Sequence, residues 1–161
     1  MDQVQPAAEA DRDGLAVQDG VEVDGRHLAL VHADADVVAF PGHDGIAPLY
    51  HSIGVNLFVF EFRGYGRSTG EPSEAGLFRD GRAAWDHLVE KIGIAPEKLL
   101  LFGHSLGGAV AIDCALDRAA AGLVVQSSFT QVRDMARASH PGPLHLVARN
   151  QFRSIDKVGR L

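Results

Sequence analysis

The 161-residue sequence contains one cysteine, one tryptophan and two methionines, and no continuous apolar run of membrane-spanning length. Each shortage excludes something. With Cys114 alone, no disulfide can form within the chain, which fits a reducing compartment. In its apolar surroundings the cysteine reads as a small buried residue rather than a nucleophile. The opening stretch, Met1 to Asp13, is polar and acidic and lacks the apolar centre of a secretory leader, and no segment reaches the ~20 apolar residues that a membrane helix needs. A cytoplasmic setting is therefore expected. Basic charge is short as well: 15 Lys and Arg stand against 21 Asp and Glu, leaving a net charge of −6. The cations are scattered, so no basic stripe invites a phosphate backbone, and a nucleic-acid partner is not expected. No HExxH or Cys/His cluster gathers around His140 or His145, and there is no GxxxxGK[ST] loop. Neither a metal nor a cofactor is expected.

What is present is a core. The chain is 46% hydrophobic with a mean hydropathy of 0.00, enough for one domain over residues 15–161 behind a flexible tail at 1–14. Val17 to Val23 and His27 to Val31 flank Asp24-Gly25, the pattern of a hairpin. From Val37 onward, apolar strands alternate with helical stretches. Val37 to Phe40 is a short strand, Ile46 to Ile53 a brief helical segment, and Val55 to Phe62 a buried strand. The loop Arg63-Gly-Tyr-Gly-Arg-Ser-Thr-Gly70 has glycines at a spacing that fails the dinucleotide fingerprint, and no helix opens on the third of them. After Pro72, Ser73 can cap a helix whose apolar stripe is Leu77, Gly81, Ala84, Trp85, Leu88 and Ile92, with Gly93 as its stop. Further on, Leu99 to Phe102 and Gly122 to Gln126 read as buried strands, with a helix near Gln131 to Ala138 after the second. Leu144 to Val147, and Ile155 with Val158, suggest short helices. Such alternation predicts an α/β fold, a mostly parallel sheet with helices on both faces.

The most informative stretch is Gly103-His-Ser-Leu-Gly107, set between the apolar strand and a helix that runs from about Ala109 to Asp117. It matches G-x-S-x-G, in which a serine sits on a sharp, strained strand-to-helix turn. Residues two before and two after that serine crowd each other, so Gly103 and Gly107 meet a steric need. The turn exposes the Ser105 hydroxyl and places unpaired helix N–H groups beside it, of which Leu106 N–H is the first candidate oxyanion donor.

Together, Phe58-Val-Phe-Glu-Phe-Arg-Gly-Tyr-Gly-Arg-Ser68, Gly103-His-Ser-Leu-Gly-Gly108 and Ser127-Ser-Phe-Thr130 resemble the α/β-hydrolase superfamily, and within it the serine aminopeptidase-like and Bem46-like group. The resemblance covers roughly residues 37–160. It implies that Ser105 is the acylated nucleophile of a serine hydrolase and that the loop after Phe40 supplies a second oxyanion N–H. Where such proteins carry His-Gly-Asn, this chain has Pro41-Gly42-His43, which makes His43 N–H the second donor. It also implies an acid and then a histidine on later loops. Here Ser127 and Ser128 hold one position used for the acid, Asp134 lies inside the following helix, and His140 and Asp156 belong to an irregular stretch. Catalytic acid and histidine are thus expected to be absent, as are the last strands of the fold. That loss would leave Leu123 to Val125 at a sheet edge open to self-association.

Two functions follow. One is hydrolysis of a small-molecule ester, thioester or amide through an acyl-Ser105 intermediate, impaired by the missing acid and base. The other is a non-catalytic remnant or interaction module.

Overall fold

The computed structural model describes residues 16–23, 26–32, 37–39, 57–66, 68–139 and 151–161. The tail, His43, the segment Ile46 to Ile53, His140, and His145 with the rest of Leu144 to Val147 lie outside the described residues.

Among the described residues six strands form one sheet in the order β1-β2-β4-β3-β5-β6. Strands β1 (Ala16–Val23) and β2 (Arg26–His32) are the expected hairpin, paired antiparallel with Val23 opposite Arg26. Strand β2 then pairs antiparallel with β4 (Leu57–Phe60). From there the sheet is parallel: β3 (Val37–Ala39) lies between β4 and β5 (Leu100–His104), and β5 pairs with β6 (Gly122–Gln126). The sheet is therefore mixed, with all its parallel pairs in the half that carries the strand-to-helix turn at Ser105, the elbow.

Helix α1 (Glu74–Asp86) starts where the sequence marks it. Ser73 is extended, its hydroxyl accepts the Gly76 N–H at 3.2 Å, and Glu74 sits in the first turn. The helix then loosens into a π-helical turn over His87–Ile92 and ends on Gly93 at φ 83°. Leu77, Gly81, Ala84, Trp85 and Leu88 are buried as the stripe predicts. Ile92 is not: it is 44% exposed, because the π turn winds five residues per hydrogen bond and carries the last stripe position off the apolar face. Helix α2 (Leu106–Asp117) is more apolar, with Gly107 through Cys114 all buried against β5, β6 and α1. Two short helices follow, α3 (Val132–Ser139) and α4 (Ile155–Val158).

The core gathers Phe58, Phe60, Phe62, Leu77, Trp85, Leu99, Leu101 and Val110 between sheet and helices, with Phe152 reaching in from the far end of the sequence. Phe152 meets Phe78 and Phe129 edge-on, at ring separations of 5.5 and 6.4 Å. Asp113 on α2 binds Arg82 of α1 at 2.7 Å and Lys157 of α4 at 2.6 Å, which ties the terminal helix down. Strand β6 reads as a buried run from its apolar residues and as an open sheet edge from the expected loss of its neighbour; Val124 and Val125, each 41% exposed, follow the second reading. Among the described residues β6 has a strand neighbour on one side only, so its apolar side chains have one flank uncovered.

Candidate active site

Strand β5 delivers Ser105 to the end of the sheet. Ser105 has φ 50° and ψ −116°, a conformation that side chains disfavour, and it is half-buried rather than sunk in the core. The glycines flanking it make the turn possible. A Cβ on Gly103 would stand 2.4 Å from the Gly107 carbonyl oxygen and 2.6 Å from Gly108 Cα, both backbone atoms that cannot step aside. The steric reading of the motif is thus met in the structure.

Both backbone groups of Ser105 are held. Its N–H donates to the Gln126 carbonyl at 2.9 Å, and its own carbonyl accepts the Gly108 N–H at 3.1 Å and the Ser128 hydroxyl at 2.8 Å. The side chain makes no capping hydrogen bond to the helix it precedes. Leu106 opens α2, and the first N–H groups of a helix have no carbonyl four residues back within it. That first turn contains no acidic residue of its own to offset the positive end of the helix. A hydroxyl beside the first N–H of a helix, here that of Leu106, is what addition to a carbonyl needs, since negative charge develops on the carbonyl oxygen as the nucleophile attacks.

Ser105, Leu106, Gly103 and Gly107 lie together in the turn from β5 into α2, whereas His43 lies outside the described residues. Of the carboxylates weighed for the acid, Asp134 is exposed on α3 and takes the Thr130 hydroxyl at 2.7 Å. That bond, with a second from Gln131, holds its carboxyl below the usual range. Asp156 pairs with Arg153 at 2.6 Å on the exposed side of α4. Cys114 is on the buried face of α2 itself, where desolvation pushes its thiol up to about 12, so it stays a neutral packing group at physiological pH. Among the described residues, no group of three or more His, Cys, Asp and Glu is placed to hold a metal ion. No described helix is long and apolar enough to cross a membrane.

Two features escape a reading of the motif. The Ser128 bond to Ser105 joins residues 23 positions apart, and the buried Arg63–Asp80 pair joins residues 17 apart. Arg63 donates to the Asp80 carboxylate through its backbone N–H at 3.0 Å and through Nε at 2.8 Å, which fastens the glycine-rich loop after β4 onto α1. Glycine spacing marks that loop, but nothing local singles out Asp80 as its anchor.

The sequence profile of the serine aminopeptidase S33 family matches residues 28–156. The chain is 36% identical over 114 residues to an uncharacterized protein of Mycobacterium tuberculosis, covering 70% of this chain and 41% of that one. It is 38% identical over 103 residues to protein bem46 of Schizosaccharomyces pombe, covering 62% and 34%. With alpha/beta hydrolase domain-containing protein 17B of Xenopus laevis the identity is 32% over 109 residues, covering 68% and 37%. The chain thus spans between 34% and 41% of the length of these relatives. In structure it resembles an alpha-beta hydrolase of Vibrio vulnificus, with a TM-score of 0.78 at 25% identity over 91% of this chain and 59% of that one. With the strand order, the strained serine and its crowded glycines already in place, these matches assign the chain to the serine aminopeptidase S33 family, in the Bem46-like group of α/β-hydrolases.

Proposed function

We propose that Ser105 is the nucleophile of an acyl-transfer hydrolase acting on a small-molecule ester, thioester or amide in the cytoplasm. The backbone of Ser105 carries this reading. A non-glycine residue at φ 50° and ψ −116°, whose hydroxyl makes no cap bond, is strain without structural return unless the side chain is needed where it stands. In the reaction, Ser105 Oγ bonds to the substrate carbonyl carbon and its proton passes to a base. The oxyanion rests on the Leu106 and His43 N–H groups. Collapse expels the alcohol, thiol or amine, which takes up the proton, and water then cleaves the acyl-serine by the same route.

Among the described residues the Ser105 hydroxyl has no hydrogen-bond partner, and the relatives are longer than the matched region. In this reading the acid and histidine come from sequence following residue 161, and the 161-residue chain turns over poorly. Without a base, oxyanion stabilisation and binding leave about 10³–10⁴-fold acceleration over water. A fluorophosphonate probe tests the proposal: slow adduct formation on Ser105, abolished in S105A and accelerated in a chain extended past residue 161, is expected. Failure of the extended chain to form the adduct would refute it.

A second reading, an interaction module, draws on the exposed Val124 and Val125 of β6, which would pair with the β6 edge of another copy. Sedimentation of the chain should then show an oligomer that V124K/V125E disperses. A monomer at all concentrations would sink this reading.

A further inference from the structure

Strands β5 and β6 end in register, with His104 opposite Gln126. The next residue on each, Ser105 and Ser127, has φ 50°, although neither is glycine. Side-by-side strain at two strand ends needs a shared cause, and the hydrogen bonds supply one. In a parallel ladder, a residue donates its N–H to the partner strand one position back and accepts at its carbonyl from the N–H one position ahead. Ser105 lies opposite Ser127. Its N–H donates to Gln126 as the ladder prescribes, at 2.9 Å. Its carbonyl should accept from the Ser128 N–H, but the Ser128 hydroxyl fills that place at 2.8 Å. The positive φ at Ser127 turns the chain so that a side chain completes the last rung.

The gripped carbonyl belongs to the peptide unit whose other end is the Leu106 N–H. Because that unit is planar, fixing the Ser105 C=O fixes the direction of the Leu106 N–H. A hydrogen bond to the carbonyl also polarises the peptide and strengthens its N–H as a donor. The Gly108 N–H reaches the same oxygen from within the helix turn, so the Ser128 hydroxyl is the contact that ties the peptide to the sheet. Packing adds to the grip: a Cβ on Gly108 would lie 2.6 Å from Ser128 Cβ, so the two residues are in close contact.

We infer that Ser128 is a positioning residue for the oxyanion site, its hydroxyl aiming the Leu106 N–H. The catalytic consequence rests on the assignment of Ser105 as nucleophile; the geometric one does not. Four chains decide it: the parent, S128A, S128T and S128V, where threonine and valine match in shape and differ in the hydroxyl. Two readouts are taken on each, the rate of fluorophosphonate capture at Ser105, which forms an Oγ–P bond and releases fluoride, and the NMR position of the Leu106 amide. S128A and S128V should capture about tenfold more slowly, the worth of one hydrogen bond, and shift the Leu106 amide, while S128T keeps both near the parent. If S128A leaves rate and amide unchanged, or S128T behaves as S128V does, the inference is overturned. Should neither the parent nor the chain extended past residue 161 be captured, the nucleophile assignment fails, and the Leu106 amide in S128A still decides the grip. Should the added methyl at residue 128 unfold both branched variants, that same resonance decides alone.

Discussion

Two tight turns leave the same end of the sheet, one after β4 and one after β5, and they treat backbone strain in opposite ways. Among the described residues the turn after β4 gives its left-handed positions to glycine: Gly64, Gly66 and Gly70 have φ 74°, 49° and 95°. It closes on itself through Gly64 N–H to Thr69 C=O at 3.1 Å and Ser68 N–H to Tyr65 C=O at 2.8 Å, and Arg63 clamps it to Asp80. The turn after β5 forces a serine to φ 50° and spends its glycines on either side, where backbones nearly touch. A turn that serves shape alone can be relaxed. A turn that must present a hydroxyl keeps the side chain and bears the strain.

The sharpest way to break the comparison is to attack the clamp of the relaxed turn. Arg63 is 2% exposed and Asp80 0%, so Asp80→Ala takes the paired carboxylate away from a buried guanidinium and should cost about 3–5 kcal/mol in urea unfolding. A double replacement such as R63M/D80L should recover much of that loss, since no charge is left behind. If D80A costs under 1 kcal/mol, the turn is held by its own backbone bonds and the clamp is incidental.

Next in size are the glycines. Gly103→Ala puts a methyl against backbone at 2.4 Å, so β5 and α2 must separate, at about 3 kcal/mol. Gly66→Ala meets first the Glu61 carboxylate, a side-chain group rather than backbone, and pays chiefly the conformational cost of φ 49°, about 1 kcal/mol. Thermal unfolding of the two variants should therefore rank them in that order. Equal losses would mean that crowding at the elbow is no tighter than elsewhere.

Ser105→Gly reverses the sign. Relief of the strain, about 1–3 kcal/mol, exceeds the entropy that glycine adds to the unfolded chain, so a net gain of about 1 kcal/mol in unfolding free energy is expected together with complete loss of fluorophosphonate capture. No side-chain cap bond is lost to offset it. A destabilised S105G would show that the serine hydroxyl holds the fold and would remove the argument from strain.

The same contrast explains what could be read without coordinates. The elbow, the Ser73 cap and the Gly93 stop are each written within a few consecutive residues, because sterics and capping act over one turn of chain. The α/β fold follows from alternation, and the parallel pairing of β3, β4, β5 and β6 agrees with it. What escapes are pairings across the fold. Neither the Asp80 anchor nor the Ser128 bond leaves a local signature, whereas the exposure of Val124 and Val125 is legible only through the expected loss of the neighbour of β6, their apolar run by itself reading as buried. Ile92 misleads for a different reason: a helical stripe assumes 3.6 residues per turn, and the π turn at His87–Ile92 departs from that period.

Ser127 is the smallest and most discriminating case, for it has the φ of Ser105 without that residue's place in the motif. Its side chain is exposed, and its neighbours Gln126 and Ser128 make the bonds to the elbow. If its strain serves only to turn the chain, it belongs with the glycines after β4, and Ser127→Gly should gain about 0.5 kcal/mol while capture at Ser105 proceeds at the parent rate. If its hydroxyl meets the substrate, S127G should gain the same stability yet raise KM for a reporter ester in the extended chain. Denaturant midpoints and ester kinetics on that one variant therefore place the third turn in one class or the other. A loss of stability would mean that the φ of Ser127 is held by its own side chain, contrary to the division between relaxed and strained turns.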